Sequence, residues 1–275
     1  MSAAELKVDH VTVAGRDLNR LRATLEAAGI PSENGGPHSN HATEMAIVSF
    51  PDGSYLELIA LQASADPQAV GEHPWHEFLK GNAGPCAWAV QAAEVSAEAA
   101  RLRNAGVKVS PEIKSGRTRP DGVRIDWETA SVGATPNGTF FPFLIRDITP
   151  RSIRAYPGGK PTTTKFRGIA KVVIAVKNID ESIQRYRHAY DLPAPKHQRD
   201  AAFGADLAWF EGTPVVLATP IAADSWVAAR IAKFGDGPCA FVLRGEPAGP
   251  TSSNWFGKPV FWFDAAKLGW HLGVE

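Results

Sequence analysis

Cysteine is scarce in this sequence, and neither sign of charge predominates. Cys86 and Cys239 are the only cysteines among 275 residues, and each lies in a short apolar run typical of a buried strand. A buried free thiol is the usual state in such a run, so no disulfide is expected. Lysine and arginine together number 29, as do aspartate and glutamate. With no net field and no long basic run to attract nucleic acid or an anionic membrane, we expect a small-molecule ligand as the partner.

Long apolar segments are also missing. No stretch approaches the roughly 20 apolar residues that a membrane-spanning helix needs. Residues 1–11 lack the basic segment and apolar core of a secretory signal. We therefore expect a cytoplasmic protein without a membrane partner. A nucleotide cofactor is not expected either, and a homodimer remains open.

The apolar pattern that is present changes period near the N-terminus. Apolar residues alternate along residues 8–13 and recur at helical spacing from Asp17 onward. Asp17 suits a helix N-cap, and Gly29 suits a helix end. Residues 45–50 and 55–61 are strand-like runs around a Pro-Asp-Gly-Ser turn, which predicts a hairpin. These segments predict a β-α-β-β unit, with room for one further strand in the loop before the hairpin.

The same order of elements returns further along the chain. Residues 84–91 have the pattern of a strand, residues 94–104 that of a helix, and residues 123–130 and 139–147 those of two more strands. A second unit of the same kind therefore follows the first.

Residues 148–167 separate these two units from the rest. They are rich in proline, glycine, threonine and basic residues and lack an apolar period, which predicts an interdomain linker. Beyond them, residues 169–190 repeat the opening strand-to-helix pattern, with Asp180 as the expected N-cap. Residues 207–220 supply another hairpin.

Short stretches of the first half repeat directly in the second. Trp75 matches Trp226, and Gly-Pro-Cys-Ala occurs at residues 84–87 and again at 237–240. A repeat period this long indicates domain duplication rather than a solenoid. We predict an α+β fold with two tandem domains, each of paired βαβββ modules and the last module shortened. The expected boundaries are residues 1–147 for the first domain, 148–167 for the linker and 168–275 for the second domain.

Several of these segments resemble a known superfamily. Residues 8–19, VDHVTVAGRDLN, resemble the first strand and helix cap of vicinal oxygen chelate modules, and residues 169–180 do too, except that Lys171 stands where His10 does. The stretches GGPHSNHAT, YLELIAL, SGRTRPDGVRIDW and FFPFLI are similar to those of glyoxalase-like domain proteins. The resemblance implies that two modules close into a cup, with a divalent metal held by the first and last strands of each module.

On that resemblance, His10 and Glu57 are the candidate metal ligands of the first module. An imidazole and a carboxylate suit zinc, iron, manganese or nickel. The second module offers Cys86 or Ala87 and then Phe143 at the corresponding positions, so a third ligand would come from Cys86, from a loop histidine or from solvent. In the second half, Lys171 and Leu217 are expected to replace the two ligands, which predicts a non-catalytic duplicate.

His10 and Glu57 are also the candidate catalytic residues. Strand alternation places Glu57 on the face opposite Leu56 and Leu58. A carboxylate inside a cup needs a metal, a basic partner or a raised pKa, because an isolated buried charge is costly. The alternatives are that Glu57 faces solvent or pairs with an arginine, and that His10 is a core histidine.

We expect side chains of three kinds to contact the substrate, namely loop histidines, an arginine and two tryptophans. A Gly-Gly-Pro turn precedes two histidines, and Arg117 and Arg119 could bind a substrate carboxylate in bidentate fashion. Each of these residues has a structural alternative, as a solvated loop residue, a turn neighbour or a core aromatic. The candidate substrate-binding residues are His38, His41, Arg119, Trp88 and Trp127.

Three functions remain open at this point. The first is a lyase or isomerase that acts on a small carbonyl, hydroxy-acid or aromatic substrate in the N-terminal cup, with or without one divalent metal. The second is a binding or sequestration protein that performs no chemistry. The third is a ring-cleaving dioxygenase, which would require an iron site of two histidines and one carboxylate.

Overall fold

Two eight-stranded sheets form the framework of the molecule. The computed structural model describes residues 6–134 and 136–275, so the five N-terminal residues, on which the expected lack of a secretory signal partly rests, lie outside it. The first half contains β1 (Val8–Ala14), α1 (Leu18–Ala27), β2 (Glu33–Pro37), β3 (Thr43–Ser49), β4 (Tyr55–Leu61), α2 (Pro67–Glu72), α3 (His76–Gly81), β5 (Gly84–Gln91), α4 (Val95–Asn104), β6 (Ile113–Thr118), β7 (Arg124–Ala130), β8 (Phe143–Asp147) and α5 (Arg151–Arg154). The second half contains β9 (Phe166–Ala175), α6 (Ile179–Tyr190), β10 (Lys196–Asp200), β11 (Ala205–Trp209), β12 (Val215–Pro220), α7 (Trp226–Phe234), β13 (Gly237–Gly245), β14 (Thr251–Trp255), β15 (Lys258–Trp262), α8 (Ala265–Leu268) and β16 (His271–Val274).

Both sheets have the same strand order. The first runs β2-β3-β4-β1-β5-β8-β7-β6 and the second β10-β11-β12-β9-β13-β16-β15-β14. In each, the opening strand of the half lies parallel to the last strand of its own module and antiparallel to the first strand of the next. The predicted α+β fold of two tandem domains is confirmed.

A backbone bridge nearly closes the first sheet into a barrel. His38, directly after the edge strand β2, pairs with Arg117 on the opposite edge strand β6. The loop that was expected to have room for a strand indeed contains β2. This closure brings a histidine and an arginine that are far apart in sequence next to each other.

The last module is shorter because it lacks a helix, and it keeps all of its strands. Within residues 237–255, all of which the structure describes, β13 leads to β14 through a turn with no helix between them. The corresponding step in the first half, from β5 to β6, contains α4. The second sheet therefore keeps its eight strands.

Of the two N-cap residues predicted from the sequence, one is confirmed and one is wrong. Asp17 caps α1, because its side chain accepts a hydrogen bond from the backbone N–H of Arg20 at 3.0 Å. The expected cap at Asp180 is wrong, since Asn178 accepts from the backbone N–H of Glu181 at 3.1 Å and caps α6. Asp180 lies in the first turn instead, where its charge faces the positive end of the helix dipole.

Strand alternation divides each sheet into a helix-facing and a cup-facing side. Leu56 and Leu58 pack in the core under the helices, and Glu57 between them belongs to the cup side. In the second half, Val216 pairs with Val173 as Glu57 pairs with Thr12. The expected equivalence of Glu57 with Leu217 is therefore wrong by one residue, because Leu217 points toward the helices. Val216, like leucine, has no lone pair to offer a metal.

The expected linker packs against the first half. Its short helix α5 contributes Arg154, whose side chain is 3% exposed, and Tyr156 donates a hydrogen bond to the carbonyl of Phe50 at 3.0 Å. The α5 part of this segment thus packs against the first domain rather than forming a free spacer, whereas Phe166 and Arg167 begin β9 of the second sheet.

The two halves carry a tryptophan at equivalent places and contact each other through an arginine. Trp75 and Trp226 both stand at the start of the helix that precedes the central strand, β5 or β13. Arg230 of α7 donates to the carbonyls of Ala83 at 3.0 Å and Pro238 at 2.7 Å, so one guanidinium links the two sheets.

Both cysteines are free and buried. Burial raises the pKa of Cys239 to about 12 and that of Cys86 further, which makes both thiols unreactive. No helix in the described part of the chain has the length and apolar character to cross a membrane.

Candidate functional site

The cup of the first half contains a cavity of about 270 Å³. Trp75, Trp127 and Phe143 supply aromatic surface to its lining. Its polar side chains are His10, His38, Ser39, Asn40, Tyr55, Glu57, His73, Ser115, Arg117, Thr129, Asn137 and Arg154. Apolar walls with a limited set of convergent polar groups are typical of a small-molecule site.

His10 reaches the cavity from β1 as one half of a buried dyad with Asp9. The register with β5 skips from Val8 to His10, so Asp9 is the extra residue of a bulge. Such a bulge re-aims side chains, which lets neighbours in sequence contact each other. The Nδ1 atom of His10 lies 2.7 Å from Oδ1 of Asp9, and the ring stacks on Tyr55 with 4.8 Å between centroids.

Arginines of α5 keep Asp9 ionised. Arg154 donates to both carboxylate oxygens, at 2.7 and 2.6 Å, and Arg151 pairs with the same group. Burial alone would raise the pKa of Asp9, but Arg154 and His10 outweigh it and hold that pKa well below its usual range. An ionised Asp9 accepts the Nδ1 proton of His10. In the neutral imidazole, Nε2 is therefore the atom with a free lone pair.

Glu57 lies opposite that lone pair. Its Oε2 is 3.7 Å from Nε2 of His10 and accepts a hydrogen bond from the Thr12 hydroxyl at 3.0 Å, while Oε1 is 3.4 Å from Nε2 of His38. Burial would raise the pKa of Glu57, but His38, His10 and Thr12 together lower it to about 2. Glu57 is thus ionised at neutral pH.

His38 and Tyr55 complete the polar group around this carboxylate. Nδ1 of His38 lies 2.8 Å from the Thr43 hydroxyl, which fixes the ring with Nε2 toward Glu57. The Tyr55 hydroxyl accepts a hydrogen bond from Arg154 at 2.7 Å. Burial raises the pKa of Tyr55, so its phenol keeps a proton to donate.

The structure brings four of the predicted site residues into one cavity and leaves three outside it. His10, Glu57, His38 and Trp127 line the cavity. The expected places of His41, Trp88 and Arg119 at the ligand are corrected. His41 is exposed in a left-handed turn, Trp88 is fully buried on the helix-facing side of β5, and Arg119 pairs with Asp121.

Sequence reasoning missed the residues that support His10. Asp9 was hidden by a bulge that strand alternation does not reveal, and Arg154 lies in a segment whose composition predicted a linker. His73 and Trp75 also line the cavity, and burial lowers the pKa of His73 to about 4. The available signal was the acidic residue directly before the strand histidine.

The donor set does not fit a tightly held divalent metal. No three histidine, cysteine, aspartate or glutamate side chains within residues 6–134 and 136–275 are arranged to hold one. Ala87 and Phe143, at the corresponding positions of the second module, carry no lone pair, and Cys86 is a buried thiol whose pKa is raised. The Glu57 carboxylate is occupied by Thr12 and His38. The expected pair of metal ligands, His10 and Glu57, therefore lacks the partners that would complete a site.

Solved structures with the same fold cover most of the chain. A hypothetical protein from Staphylococcus aureus matches over 98% of both chains with a TM-score of 0.68 and 14% identity. A mutant of 4-hydroxymandelate synthase from Streptomyces coelicolor matches 90% of this chain and 72% of its own, with a TM-score of 0.53 and 12% identity. A xylose isomerase-like TIM barrel/4-hydroxyphenylpyruvate dioxygenase fusion protein matches 90% of this chain and 37% of its own, with a TM-score of 0.52 and 14% identity. At these identities the similarity establishes a shared fold and no shared activity.

A family comparison assigns the chain more specifically. A search of curated proteins found no significant match. The sequence model of the glyoxalase-like domain family matches residues 8–190, which is more than half of the chain and includes every residue that lines the cavity. The chain therefore belongs to the glyoxalase-like domain family, within the vicinal oxygen chelate superfamily.

Proposed function

We propose that this protein is an enzyme of the lyase or isomerase type that moves a proton next to the carbonyl of a small substrate in the N-terminal cup. The observation that carries the proposal is the buried Asp9–His10 dyad, whose free Nε2 faces the cavity. A carboxylate on Nδ1 fixes the imidazole tautomer and stabilises the imidazolium that forms when Nε2 takes a proton.

His10 is the base in this proposal, and Glu57 has an electrostatic role. A carboxyl with a pKa of about 2 is a weak base near neutral pH, whereas an imidazole is suited to proton transfer there. Once Nε2 of His10 accepts a proton, the Glu57 carboxylate 3.7 Å away stabilises the resulting charge. The two residues thus share one catalytic step.

Tyr55 supplies the donor for the oxygen that becomes negative. The C–H bond next to the carbonyl breaks, its proton goes to Nε2 of His10, and its electron pair forms an enolate. The Tyr55 phenol, held by Arg154, donates a hydrogen bond to the enolate oxygen. Return of the proton to carbon gives an isomer or an exchanged substrate, and expulsion of a neighbouring leaving group gives a lyase product.

Two alternatives receive different support. The aromatic surfaces of Trp75, Trp127 and Phe143 also favour sequestration of an aromatic molecule without chemistry. Ring-cleaving dioxygenase chemistry and a divalent metal both need a ligand set that the described residues do not supply. No step of the proposal passes through a metal.

Hydrogen exchange tests the proposal without knowledge of the natural substrate. The protein is incubated in D₂O with pyruvate or phenylpyruvate, and NMR follows loss of the protons next to the carbonyl, against a protein-free reference. We expect exchange above the spontaneous rate. His10→Asn should lower the protein-dependent rate by about 100-fold or more, and Glu57→Gln by about 10-fold.

His41→Asn is the matched control, because it changes an exposed imidazole outside the cavity. Its exchange rate should equal that of the unmodified protein, and thermal midpoints should show that each variant is folded. Tight binding of phenylpyruvate with no protein-dependent exchange would instead support sequestration.

A further inference from the structure

Arg117 is a buried cation that lacks an acidic partner. Its side chain lines the cavity and the residue is 3% exposed. Its guanidinium donates one hydrogen bond, from Nη1 to the carbonyl of Gly35. No carboxylate oxygen of residues 6–134 or 136–275 lies within 4 Å of it. The other buried guanidinium of this cavity, that of Arg154, pairs with Asp9 and Asp147.

An unpaired buried guanidinium is costly. Arginine remains protonated in proteins, so it cannot avoid the cost by losing its charge. Burial lowers the pKa of Arg117, and the negative charge of Glu57, which lies more than 4 Å away, offsets that effect only in part. The remaining N–H donors are suited to a carboxylate, which a guanidinium binds through two parallel hydrogen bonds.

The backbone around Arg117 fixes its position. Arg117 bridges to His38 where the two edges of the sheet meet. The preceding Gly116 has no room for a side chain, because a Cβ atom there would lie 2.4 Å from the carbonyl oxygen of Ile125. Arg117 also pairs with Ile125 of β7, so main-chain pairing holds the arginine on both sides, as a ligand anchor requires.

The charges in the cavity give an anionic ligand one orientation. Glu57 carries a negative charge and repels a substrate carboxylate, whereas Arg117 attracts one. A molecule with a carboxylate next to a carbonyl would place the carboxylate at Arg117 and its reacting end toward His10 and Glu57. Neutral carbonyl compounds can accept a hydrogen bond from Arg117 but bring no negative charge to balance it.

We propose that Arg117 anchors the carboxylate of the substrate, so that the substrate class is a small carboxylic acid such as a 2-oxo acid. The inference rests on the proposed function for its reaction, but binding alone tests the anchor. Of the two neighbouring arginines, only Arg117 is given this role, because the charge of Arg119 is neutralised by Asp121.

Isothermal titration calorimetry with benzoate and benzamide as probes separates the effect of charge from that of shape. We expect benzoate to bind the full-length protein at least about 10-fold more tightly than benzamide, because a charge-assisted pair replaces a neutral one. In Arg117→Met the preference should disappear, and in Arg117→Lys it should be reduced but present. Arg119→Met is the matched control and should keep the full preference.

Several outcomes would overturn the inference. Equal binding of benzoate and benzamide to the unmodified protein would do so, as would an undiminished preference in a folded Arg117→Met variant. Inorganic phosphate that binds as tightly as benzoate would contradict the carboxylate assignment. If Arg117→Met fails to fold, the Nε–H NMR signals of the unmodified protein decide, because benzoate must shift that of Arg117 and benzamide must not. Loss of proton exchange with the benzoate preference intact would contradict the proposed function alone.

Discussion

At the residue scale, the side of a strand on which a residue lies decides its role. Alternation correctly predicted that Glu57 lies on the face opposite Leu56 and Leu58, because the side-chain period of a strand is two, and in the structure that face lines the cup. The same rule, applied to β5, would have placed Trp88 on the helix-facing side, where it lies. Asp9 and His10 contact each other because of a bulge, which depends on pairing with β5 and is not encoded in local alternation.

Loop residues were harder to place from sequence than strand residues. His38 and His41 lie three positions apart in one polar loop, yet only His38 pairs with an edge strand and faces Glu57. His41 takes a left-handed backbone conformation that turns it to solvent. The choice between them is made by closure of the sheet, which is a long-range contact.

The low pKa of Glu57 predicts a dependence of stability on pH. A carboxyl whose pKa is lower in the folded chain stabilises the fold fully above its unfolded pKa and loses that contribution as the pH falls through its folded pKa. The fall from 4.5 to about 2 corresponds to about 3 kcal/mol. The stability advantage of the unmodified protein over Glu57→Gln should therefore be full at pH 6 and decline between about pH 4.5 and 2.

Urea unfolding at several pH values between 6 and 2.5 measures this difference. Glu72→Gln, which changes an exposed carboxyl on α2, is the control and should differ little from the unmodified protein at each pH. A stability difference for Glu57→Gln that does not change with pH would show that the Glu57 carboxylate is not held by its imidazole and hydroxyl neighbours.

At the scale of the elements, helix α5 connects the interdomain segment to the chemistry. The composition of residues 148–167 predicted a linker because proline, glycine and basic residues give no apolar period. The structure shows that two of those basic residues, Arg151 and Arg154, pair with the buried Asp9. Their burial could not be predicted locally, since it depends on a partner more than 140 positions away.

Removal of the Arg154 guanidinium should be strongly destabilising. Arg154→Met leaves Asp9 buried without its main counter-charge, and loss of one partner of a buried pair typically costs about 3–5 kcal/mol. Chemical denaturation measures the change. Proton exchange should fall as well, because Arg154 also holds the Tyr55 hydroxyl that donates to the enolate oxygen. Asp9→Asn combined with Arg154→Met should recover part of the stability.

Arg124→Met is the matched control for this prediction. Arg124 forms an exposed pair with Asp126, and such pairs contribute about 0–1 kcal/mol. Equal losses of stability in Arg124→Met and Arg154→Met would mean that α5 does not hold the dyad.

At the scale of the whole molecule, the two halves share one fold, but different side chains line their cups. The direct repeats in the sequence correctly predicted the duplication, because matched segments at one offset reflect matched elements. The second half has Lys171 in place of His10 and Val216 in place of Glu57, so it has no equivalent of the imidazole and carboxylate pair. Its cup side instead contains an aromatic cluster around Phe203, Trp255 and Trp262.

Lys171 has a structural role in the second half. It is buried and pairs with Glu275, and burial lowers the pKa of Lys171 while that carboxylate opposes the effect. Lys171→Met should lower the free energy of unfolding by about 1–3 kcal/mol, since Glu275 loses its partner. Proton exchange by the first half should stay within about twofold of that of the unmodified protein. Abolished exchange in a folded Lys171→Met variant that still binds benzoate would place catalysis in the second half.

The proposed function requires that the cup of the first half is the substrate site and that His10 is its base. A crystal structure of the protein with bound phenylpyruvate tests this most directly. We predict that the ligand lies in the first cavity, with its carboxylate at the Arg117 guanidinium and the carbon next to its carbonyl facing Nε2 of His10. Phenylpyruvate bound in the second half, or in the first cavity without contact to His10 and Glu57, would show that His10 is not the base.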